Sequence, residues 1–304
     1  MARPPLSQVS DFDLRLLRVF RTVAEYGSFA AAESELGITS SAISLHMSDL
    51  EKRLGMRLCQ RGRAGFALTD EGREVLRASA AMMASIEDFR SEINRLHQRL
   101  RGELNIGLMN NLVTQPRMRI TSALRSLRRQ SDEIHINISM STPGEIERGL
   151  LDGRLHVGAL PLITTLSALQ YDPLYEEQSL LYCSSTHPLF ARCPRVDAAQ
   201  LAGMAAVAPS YRLTPEALEL HRTLDCTAKA TDREAIAFLI LTGEYVGFLP
   251  DHYAATWVER GLMAPIMPET MNFRVTIAAA TRRGRRHNLI VDRFLEELLG
   301  SVED

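Results

Sequence analysis

Cysteine, tryptophan and long apolar runs are all scarce in this chain. Its cysteines are Cys59, Cys183, Cys193 and Cys226, and their spacing excludes a CxxC metal or redox motif. No apolar run approaches the roughly 18 residues that a membrane-spanning helix needs. The first 20 residues contain prolines and acids in place of the apolar core of a signal peptide. We therefore expect a cytoplasmic protein with reduced thiols and no membrane contact.

Lysine is nearly absent too, since it occurs only at positions 52 and 229 and the other basic residues are arginines. The formal net charge of -2 over 304 residues excludes a uniformly basic coat for nucleic acid. Any charge that binds DNA must therefore be local. With 45% hydrophobic residues, the chain is long enough for two or three compact units with their own cores.

A helix-turn-helix pattern occupies the first part of the chain. Ser28 is placed as the N-cap of a short alanine-rich helix, and the Leu-Gly-Ile sequence at 36–38 predicts a tight turn after it. Thr39 then starts a second helix, in which apolar residues recur at helical spacing on one face. The other face carries short polar side chains that would approach base edges in a major groove, namely Ser40, Ser41, Ser44 and His46.

The segment 51–63 that follows is basic and contains one acid, Glu51. We expect Ser28 and the arginines of this segment to hold phosphates or the minor groove: Arg53, Arg57, Arg61 and Arg63. Two glycines and a short apolar run at 66–68 then fit a small two-stranded wing. A solvated surface is the alternative interpretation of the basic run, but its place directly after a helix-turn-helix favours DNA.

Many positions in this region match one known motif. They are Phe20, Val23, Gly27-Ser28-Phe29, Ala31-Ala32, Leu36, Ala42-Ile43-Ser44, Leu50-Glu51, Gly55, Leu58, Arg61, Leu68-Thr69 and Gly72. On these residues the chain resembles the LysR-type transcriptional regulators, which implies promoter DNA and RNA polymerase as partners. It departs from the motif at four positions. Ser40 stands where the family commonly has Gln, and Leu45 stands where it has Arg or another polar residue. Cys59 replaces the usual Phe, and Ala64 replaces a frequent Arg of the wing. The departures concern which bases are read, not how the domain docks.

A long helix is predicted from Thr69 to about Leu100, because acids follow Thr69 in the first turn. Apolar residues recur along it at three- and four-residue steps: Val75, Met82, Ile86, Phe89, Ile93 and Leu96. This spacing is typical of a coiled-coil seam, although such a helix can also pack on its own domain. The resemblance implies that this linker helix pairs two protomers, so we expect a homodimer or homotetramer.

Beyond Arg101 the pattern changes to alternating strands and helices. Strands are predicted at 104–108, 134–140 and 155–160, with helices at 116–130 and after a capping box at 142–145. This order implies a parallel sheet. A second α/β subdomain follows, with strands at 179–183, 204–208, 226–229 and 245–250 and helices at 215–224 and 232–241. The helix at 232–241 is opened by a capping box of Thr231 and Glu234. A strand at 272–280 and a helix at 289–299 then return to the first α/β subdomain.

The predicted fold is therefore α/β with a helix-rich N-terminal domain. We expect a winged helix-turn-helix at 1–68, a linker helix at 69–101 and a regulatory domain at 102–304. In the regulatory domain, subdomain I covers about 102–165 and 270–304, and subdomain II about 166–269. Two α/β subdomains joined by crossing strands resemble the periplasmic-binding-protein-like regulatory domain of the LysR family.

Ligands of open α/β sheets bind beyond the carboxyl ends of the strands, next to helix N-termini. That rule selects Asn110, Asn111, Thr114, Ser141, Thr142, Leu162, Ser210, Tyr211 and Phe248. The alternative is that Thr142 only caps a helix and that the two asparagines only close a turn. The resemblance implies a small-molecule effector in this cleft, often an anion, and Arg212 and His187 are candidate counter-charges.

Three other classes of function are alternatives to a ligand-responsive regulator. The chain has no GxSxG, HExxH or clustered Cys/His motif, so we expect no catalytic residue, metal or cofactor. A thiol-based redox-sensing regulator of the same family is the closer alternative, because Cys183, Cys193 and Cys226 share the second subdomain and arginines flank Cys193. A solute-binding protein is the remaining alternative, and the helix-turn-helix disfavours it.

Overall fold

The computed structural model describes residues 8–62, 65–96 and 100–300. They form two compact units that divide between Glu87 and Asp88. The first unit contains the helices α1 (Asp11–Tyr26), α2 (Phe29–Leu36) and α3 (Ser40–Leu54), the strands β1 (Cys59–Gly62) and β2 (Gly65–Leu68), and most of the helix α4 (Asp70–Leu96).

Side-chain caps fix where the short helices begin. The Ser28 hydroxyl accepts a hydrogen bond from the amide of Ala31 at 3.0 Å, and the Thr39 hydroxyl accepts one from Ala42 at 3.3 Å. Gly27, Gly37 and Gly55 end the three helices in the left-handed conformation that favours glycine. The predicted helix starts at Ser28 and Thr39 are thereby confirmed.

A small core holds the first unit together. The α3 residues predicted to face inward, Ile43, Met47 and Leu50, are buried against Phe20 of α1. β1 pairs antiparallel with β2 and forms the predicted wing. Behind the wing, Thr69 caps α4, because its hydroxyl accepts from the amide of Gly72 at 2.9 Å.

The predicted seam of α4 is largely uncovered. Phe89 is 63% exposed and Ile93 is 39% exposed, while Met82 and Ile86 are half-buried. Val75, by contrast, packs against the core of the first unit. At this position the helix packs on its own domain, which is the alternative to a coiled-coil seam. Leu96 ends α4, and its side chain is outside the described set.

The second unit alternates strands and helices. Its elements are β3 (Gly102–Leu108), α5 (Arg119–Gln130), β4 (Ile134–Met140), α6 (Pro143–Leu151), β5 (Val157–Pro161), β6 (Leu169–Ser184), α7 (Ala198–Leu201), β7 (Ala205–Pro209), α8 (Pro215–Arg222), β8 (Asp225–Ala230), α9 (Arg233–Leu241), β9 (Gly247–Pro250), α10 (Asp251–Glu259), β10 (Met263–Ile266), β11 (Asn272–Arg282) and α11 (Leu289–Gly300). β3 runs parallel to β4 and β5, as predicted. The main sheet has the order β10-β6-β11-β5-β3-β4, with β9 also paired to β6, and β7 pairs parallel with β8.

β6 corrects the predicted layout of the second unit. The sequence indicated a short strand at 179–183, whereas β6 runs for 16 residues. Its first part pairs with β11 and its last part with β9 and β10, and β6 and β11 each contribute residues to two apolar clusters of this unit. In the sequence, Pro173 argues against a continuous strand. In the fold it lies at a shift of register, where a strand tolerates proline.

The predicted capping box at the start of α9 is wrong. The N-cap is Asp232, whose Oδ1 accepts from the amide of Ala235 at 2.9 Å. A carboxylate at this place also complements the positive end of the helix dipole, which explains why Asp232 takes the position of the neighbouring Thr231. Within the described residues, every helix is too short or too polar to cross a bilayer.

Candidate DNA-binding surface and ligand cavity

The residues predicted to read bases lie on α3, and they differ in exposure. Ser41 is exposed, and Ser40, Ser44 and His46 are half-buried. The hydroxyl and the amide of Ser40 bond to the carboxylate of Glu33 on α2 and lower the pKa of that carboxyl. Ser40 therefore also joins the two helices, whereas Ser41 presents its side chain to solvent.

Arg53 holds a buried carboxylate. Its guanidinium makes a two-pronged contact with Asp13 of α1, in which Nη2 donates to Oδ2 at 2.8 Å. Asp13 is 1% exposed, whereas Arg53 is 41% exposed. Hydrogen bonding to Arg53 lowers the pKa of Asp13 to about 2, so the pair is charged near neutral pH. Arg53 thus ties α3 to α1, and its contact with a phosphate stays a prediction.

The other predicted phosphate contacts surround the wing. Arg57 is exposed between α3 and β1, and Ser28 is half-buried with its hydroxyl engaged as the cap of α2. Arg61 lies on β1, and its side chain is outside the described set. Arg63 lies outside the described residues. The roles of these residues stay predictions.

The second unit contains a solvent-accessible cavity of about 240 Å³. It lies at the carboxyl ends of the parallel strands, where Asn110 follows β3, Ser141 follows β4 and Pro161 ends β5. The opposite wall contains Tyr211, after β7, and Phe248 of β9. This is the position at which the strand-end rule expects a ligand.

The cavity brings together five of the predicted effector residues, namely Asn110, Ser141, Thr142, Tyr211 and Phe248. It is not lined by Asn111, Thr114, Leu162 or Ser210. Thr114 instead contacts His252, with 2.7 Å between Oγ1 and Nδ1. His187 also lies away from the cavity, and burial lowers the pKa of this histidine, which disfavours the charge that a counter-ion needs.

Helix N-termini surround the cavity. The N-cap residues of α6, α8 and α9, which are Thr142, Thr214 and Asp232, all line it. Its acids are engaged in capping, since Glu145 accepts from the hydroxyl of Thr142 at 2.8 Å and Asp232 caps α9. The positive dipole ends of three helix starts favour an anionic group.

The two arginines of the cavity differ in their partners. Arg233 is buried and bonds to Glu177, whereas Arg212 donates to the hydroxyl of Thr164 at 3.2 Å. Among the cavity-lining residues that the structure describes, Arg212 is the cation without an acidic partner. A bound anion would therefore find its counter-charge at Arg212.

A buried polar network lies beneath the cavity and centres on Glu177 of β6. Arg233 donates from Nη1 to Glu177 Oε2 at 3.0 Å, and Nη2 bonds to Oε1. His252 Nε2 lies 3.0 Å from Oε2, and Arg233 also donates to the carbonyl of Asn110 at 3.3 Å. Burial raises the pKa of Glu177, but Arg233 and His252 more than offset it, so the pKa falls below its ordinary value.

The sequence analysis did not predict this pair, although each residue occupies a position that is unfavourable for a charge. Arg233 stands in the first turn of α9, where the helix dipole disfavours a cation. Glu177 stands in a strand whose other buried residues carry no charge. A charge in each of two unfavourable places indicates that the two residues are partners.

A pair of thiols meets in the core near α7. The sulfur atoms of Cys183 and Cys193 are 3.5 Å apart. Cys183 is buried and Cys193 is half-buried. A hydrogen bond from Cys183 lowers the pKa of Cys193, whereas the same contact and burial raise the pKa of Cys183.

Two family models account for nearly the whole chain. The LysR substrate binding domain matches residues 97–303, and the bacterial regulatory helix-turn-helix of the lysR family matches residues 14–73. The chain belongs to the LysR family of transcriptional regulators. It is thus a DNA-binding regulator with an effector-binding domain.

Relatives of known name agree with this assignment. The regulator is 60% identical over 294 residues to the HTH-type transcriptional activator BauR of Pseudomonas aeruginosa, and the match covers 96% of each chain. It is 31% identical over 193 residues to the uncharacterized HTH-type transcriptional regulator YnfL of Escherichia coli, covering 63% of this chain and 64% of YnfL.

Solved structures share the fold. The full-length regulator CbnR in complex with its target DNA has a TM-score of 0.64 at 22% identity, over 94% of this chain and 98% of CbnR. CbnR without DNA has a TM-score of 0.66 at 21% identity, over 96% and 99% of the two chains.

Proposed function

We propose that this regulator binds promoter DNA as a homodimer or homotetramer and activates transcription through contact with RNA polymerase, without catalysing a reaction. The outward polar face of α3, with Arg57 beside it, is the observation that carries the proposal. The uncovered apolar residues Phe89 and Ile93 on α4 support pairing of protomers. Activation is favoured by the 60% identity to an activator.

Arg57→Ala and Ser41→Ala are expected to weaken DNA binding in different ways. Loss of Arg57 should lower affinity for every duplex and reduce the slope of log affinity against log salt by about 1. Loss of Ser41 should change the preference at particular base pairs and leave that slope unchanged. Fluorescence anisotropy across a salt series, on duplexes from the promoters flanking its gene, measures both.

Arg125→Ala is the matched control, because Arg125 is an exposed arginine on α5 of the other unit. It should bind DNA like the wild type. Wild-type affinity and salt slope in both test variants would show that this surface does not contact DNA.

The cavity ligand that we propose is a small anion, held by the N-termini of α6, α8 and α9 and by Arg212. Uncharged donors such as Ser141 and Tyr211 would orient it, and Phe248 would cover its apolar part. Binding there would shift an existing equilibrium between conformations of the oligomer on DNA.

Arg212→Ala is expected to weaken binding of an anionic effector by about ten- to a hundredfold, because a charge-assisted hydrogen bond contributes about 1.5–3 kcal/mol. A panel of small carboxylic acids, screened by thermal shift on the full chain, would first identify a stabilising acid. The variant should then need correspondingly more of that acid for the same shift. Arg260→Ala, an exposed arginine that does not line the cavity, is the control. An unchanged shift in the Arg212 variant would remove Arg212 from the site.

A second candidate function is a redox response, which the 3.5 Å contact between Cys183 and Cys193 favours. The Cys193 thiolate would attack hydrogen peroxide and become a sulfenic acid, with release of hydroxide. The Cys183 thiol would then attack that sulfur, forming a disulfide and releasing water.

Peroxide treatment should convert the wild-type chain to a form two hydrogens lighter and change its affinity for promoter DNA, whereas Cys193→Ser should show neither effect. Peptide mapping by mass spectrometry and anisotropy measure the two. Cys226→Ser should respond like the wild type. If peroxide leaves both thiols of the wild type reduced, this second function is excluded.

A further inference from the structure

A leucine lies at the centre of the outward face of α3. Leu45 is 59% exposed, and it belongs to none of the apolar clusters of the first unit. At about 100° per residue, it points away from the buried row of Ile43, Met47 and Leu50. Among the described residues of the first unit, the apolar core therefore leaves Leu45 largely uncovered.

Its neighbours on that face are small and polar. Ser41 lies one turn before Leu45, and Ser48 lies one turn after it. A single exposed leucine is common on protein surfaces and needs no special explanation. Here, however, Leu45 is the largest apolar side chain on the exposed face of the helix that would enter the major groove, and it points directly away from the buried row.

The major groove offers an apolar side chain one group to contact. Thymine carries a methyl group at C5, whereas the groove edges of the other bases present hydrogen-bond donors and acceptors. A serine hydroxyl can donate or accept, so Ser41 and Ser48 discriminate weakly between bases. A leucine facing donors and acceptors would leave them without water, and a leucine facing a methyl group would bury apolar surface on both sides.

We propose that Leu45 determines the sequence specificity of this regulator by packing against the C5 methyl group of a thymine in each half-site. The inference rests on the proposed docking of α3 in the major groove. It assigns to one apolar side chain a preference for thymine at one position of each half-site. The neighbouring hydroxyls of Ser41 and Ser48 then contribute weaker preferences at adjacent base pairs.

Replacing single thymines by deoxyuridine tests the proposal, because this removes the methyl group and keeps base pairing. The full chain would first be footprinted on the promoters flanking its gene, and each thymine of the protected operator would then be replaced in turn. Wild type should lose affinity by about fourfold at one thymine in each half-site, which is the effect expected for one buried methyl group. Leu45→Ala should bind more weakly and be indifferent to the methyl group at that position.

Two further variants separate this contact from a general loss of binding. Leu45→Met keeps an apolar side chain and should keep the dependence on the methyl group, whereas Leu45→Asn should lose it. Val9→Ala removes an apolar side chain of similar exposure, 52%, outside α3 and should behave like the wild type.

The failure of the inference is distinct from the failure of DNA binding. If wild type binds its operator but tolerates deoxyuridine at every position, or if Leu45→Ala stays as sensitive as wild type, Leu45 does not read thymine. If Leu45→Ala instead abolishes self-association in sedimentation, Leu45 belongs to a protein interface and the inference is overturned. If wild type and Val9→Ala bind no duplex, the proposed docking of α3 fails as well.

Discussion

Replacement of Glu177 by leucine is expected to destabilise the second unit by about 3–5 kcal/mol, because it leaves the buried guanidinium of Arg233 without its counter-charge. The Arg233 side chain is 7% exposed, so water cannot replace the carboxylate. The same substitution removes a partner of His252. Denaturant unfolding followed by the fluorescence of Trp257, the one tryptophan of the chain, measures the loss in this unit.

The double variant Glu177→Leu with Arg233→Leu should recover most of that stability, since an apolar pair of similar volume can replace a buried ion pair. Arg293→Ala, which removes an exposed ion pair on α11, should change stability by less than about 1 kcal/mol. The folded pKa of Glu177 is depressed, so its contribution is present above the unfolded pKa and is lost as the pH falls. The double variant should therefore lose less stability in acid than wild type. A single variant as stable as wild type would show that Arg233 does not depend on Glu177.

Gly72→Ala is expected to destabilise the first unit by about 2 kcal/mol or more and to abolish DNA binding. A Cβ at position 72 would fall on the carbonyl oxygen of Leu58, well inside van der Waals contact. The obstacle is backbone that also accepts a hydrogen bond from Thr69, so it cannot move aside cheaply. α4 would have to separate from the segment before the wing. Hydrogen exchange of amides in α1–α3 and anisotropy on promoter DNA measure the two effects.

Gly144→Ala is the matched control, because Gly144 also lies in the first turn of a helix but has no atom in the way of a Cβ. Alanine should stabilise α6 there by about 0.5–1 kcal/mol. If both variants behaved alike, the close approach of α4 to Leu58 would not hold in solution.

Local signals were sufficient where a side chain acts on its own neighbourhood. The caps at Ser28 and Thr39 and the inward row of α3 depend on residues within one or two turns, so the sequence displays them directly. The sequence pattern also predicts the parallel strands β3, β4 and β5, and with them the strand ends that line the cavity. Three of the predicted effector residues in the cavity, Asn110, Ser141 and Thr142, follow from these strand ends alone.

Features that depend on distant contacts could not be predicted. The length of β6 is set by its pairing with β11, about a hundred residues away. The pairing of Glu177 with Arg233 joins β6 to α9, and neither residue indicates its partner by spacing. Val75 repeats with the apolar residues of α4, and only the fold shows that it packs on the first unit instead.

Dimethyl sulfate protection tests most directly the central claim that α3 enters the major groove. The reagent methylates guanine N7 in the major groove and adenine N3 in the minor groove. On the operator of the intact regulator, we predict protection of guanine N7 within two half-sites, and weaker protection at the same guanines with Ser41→Ala. Protection confined to adenine N3, or unchanged reactivity of every purine in a bound operator, would contradict the account.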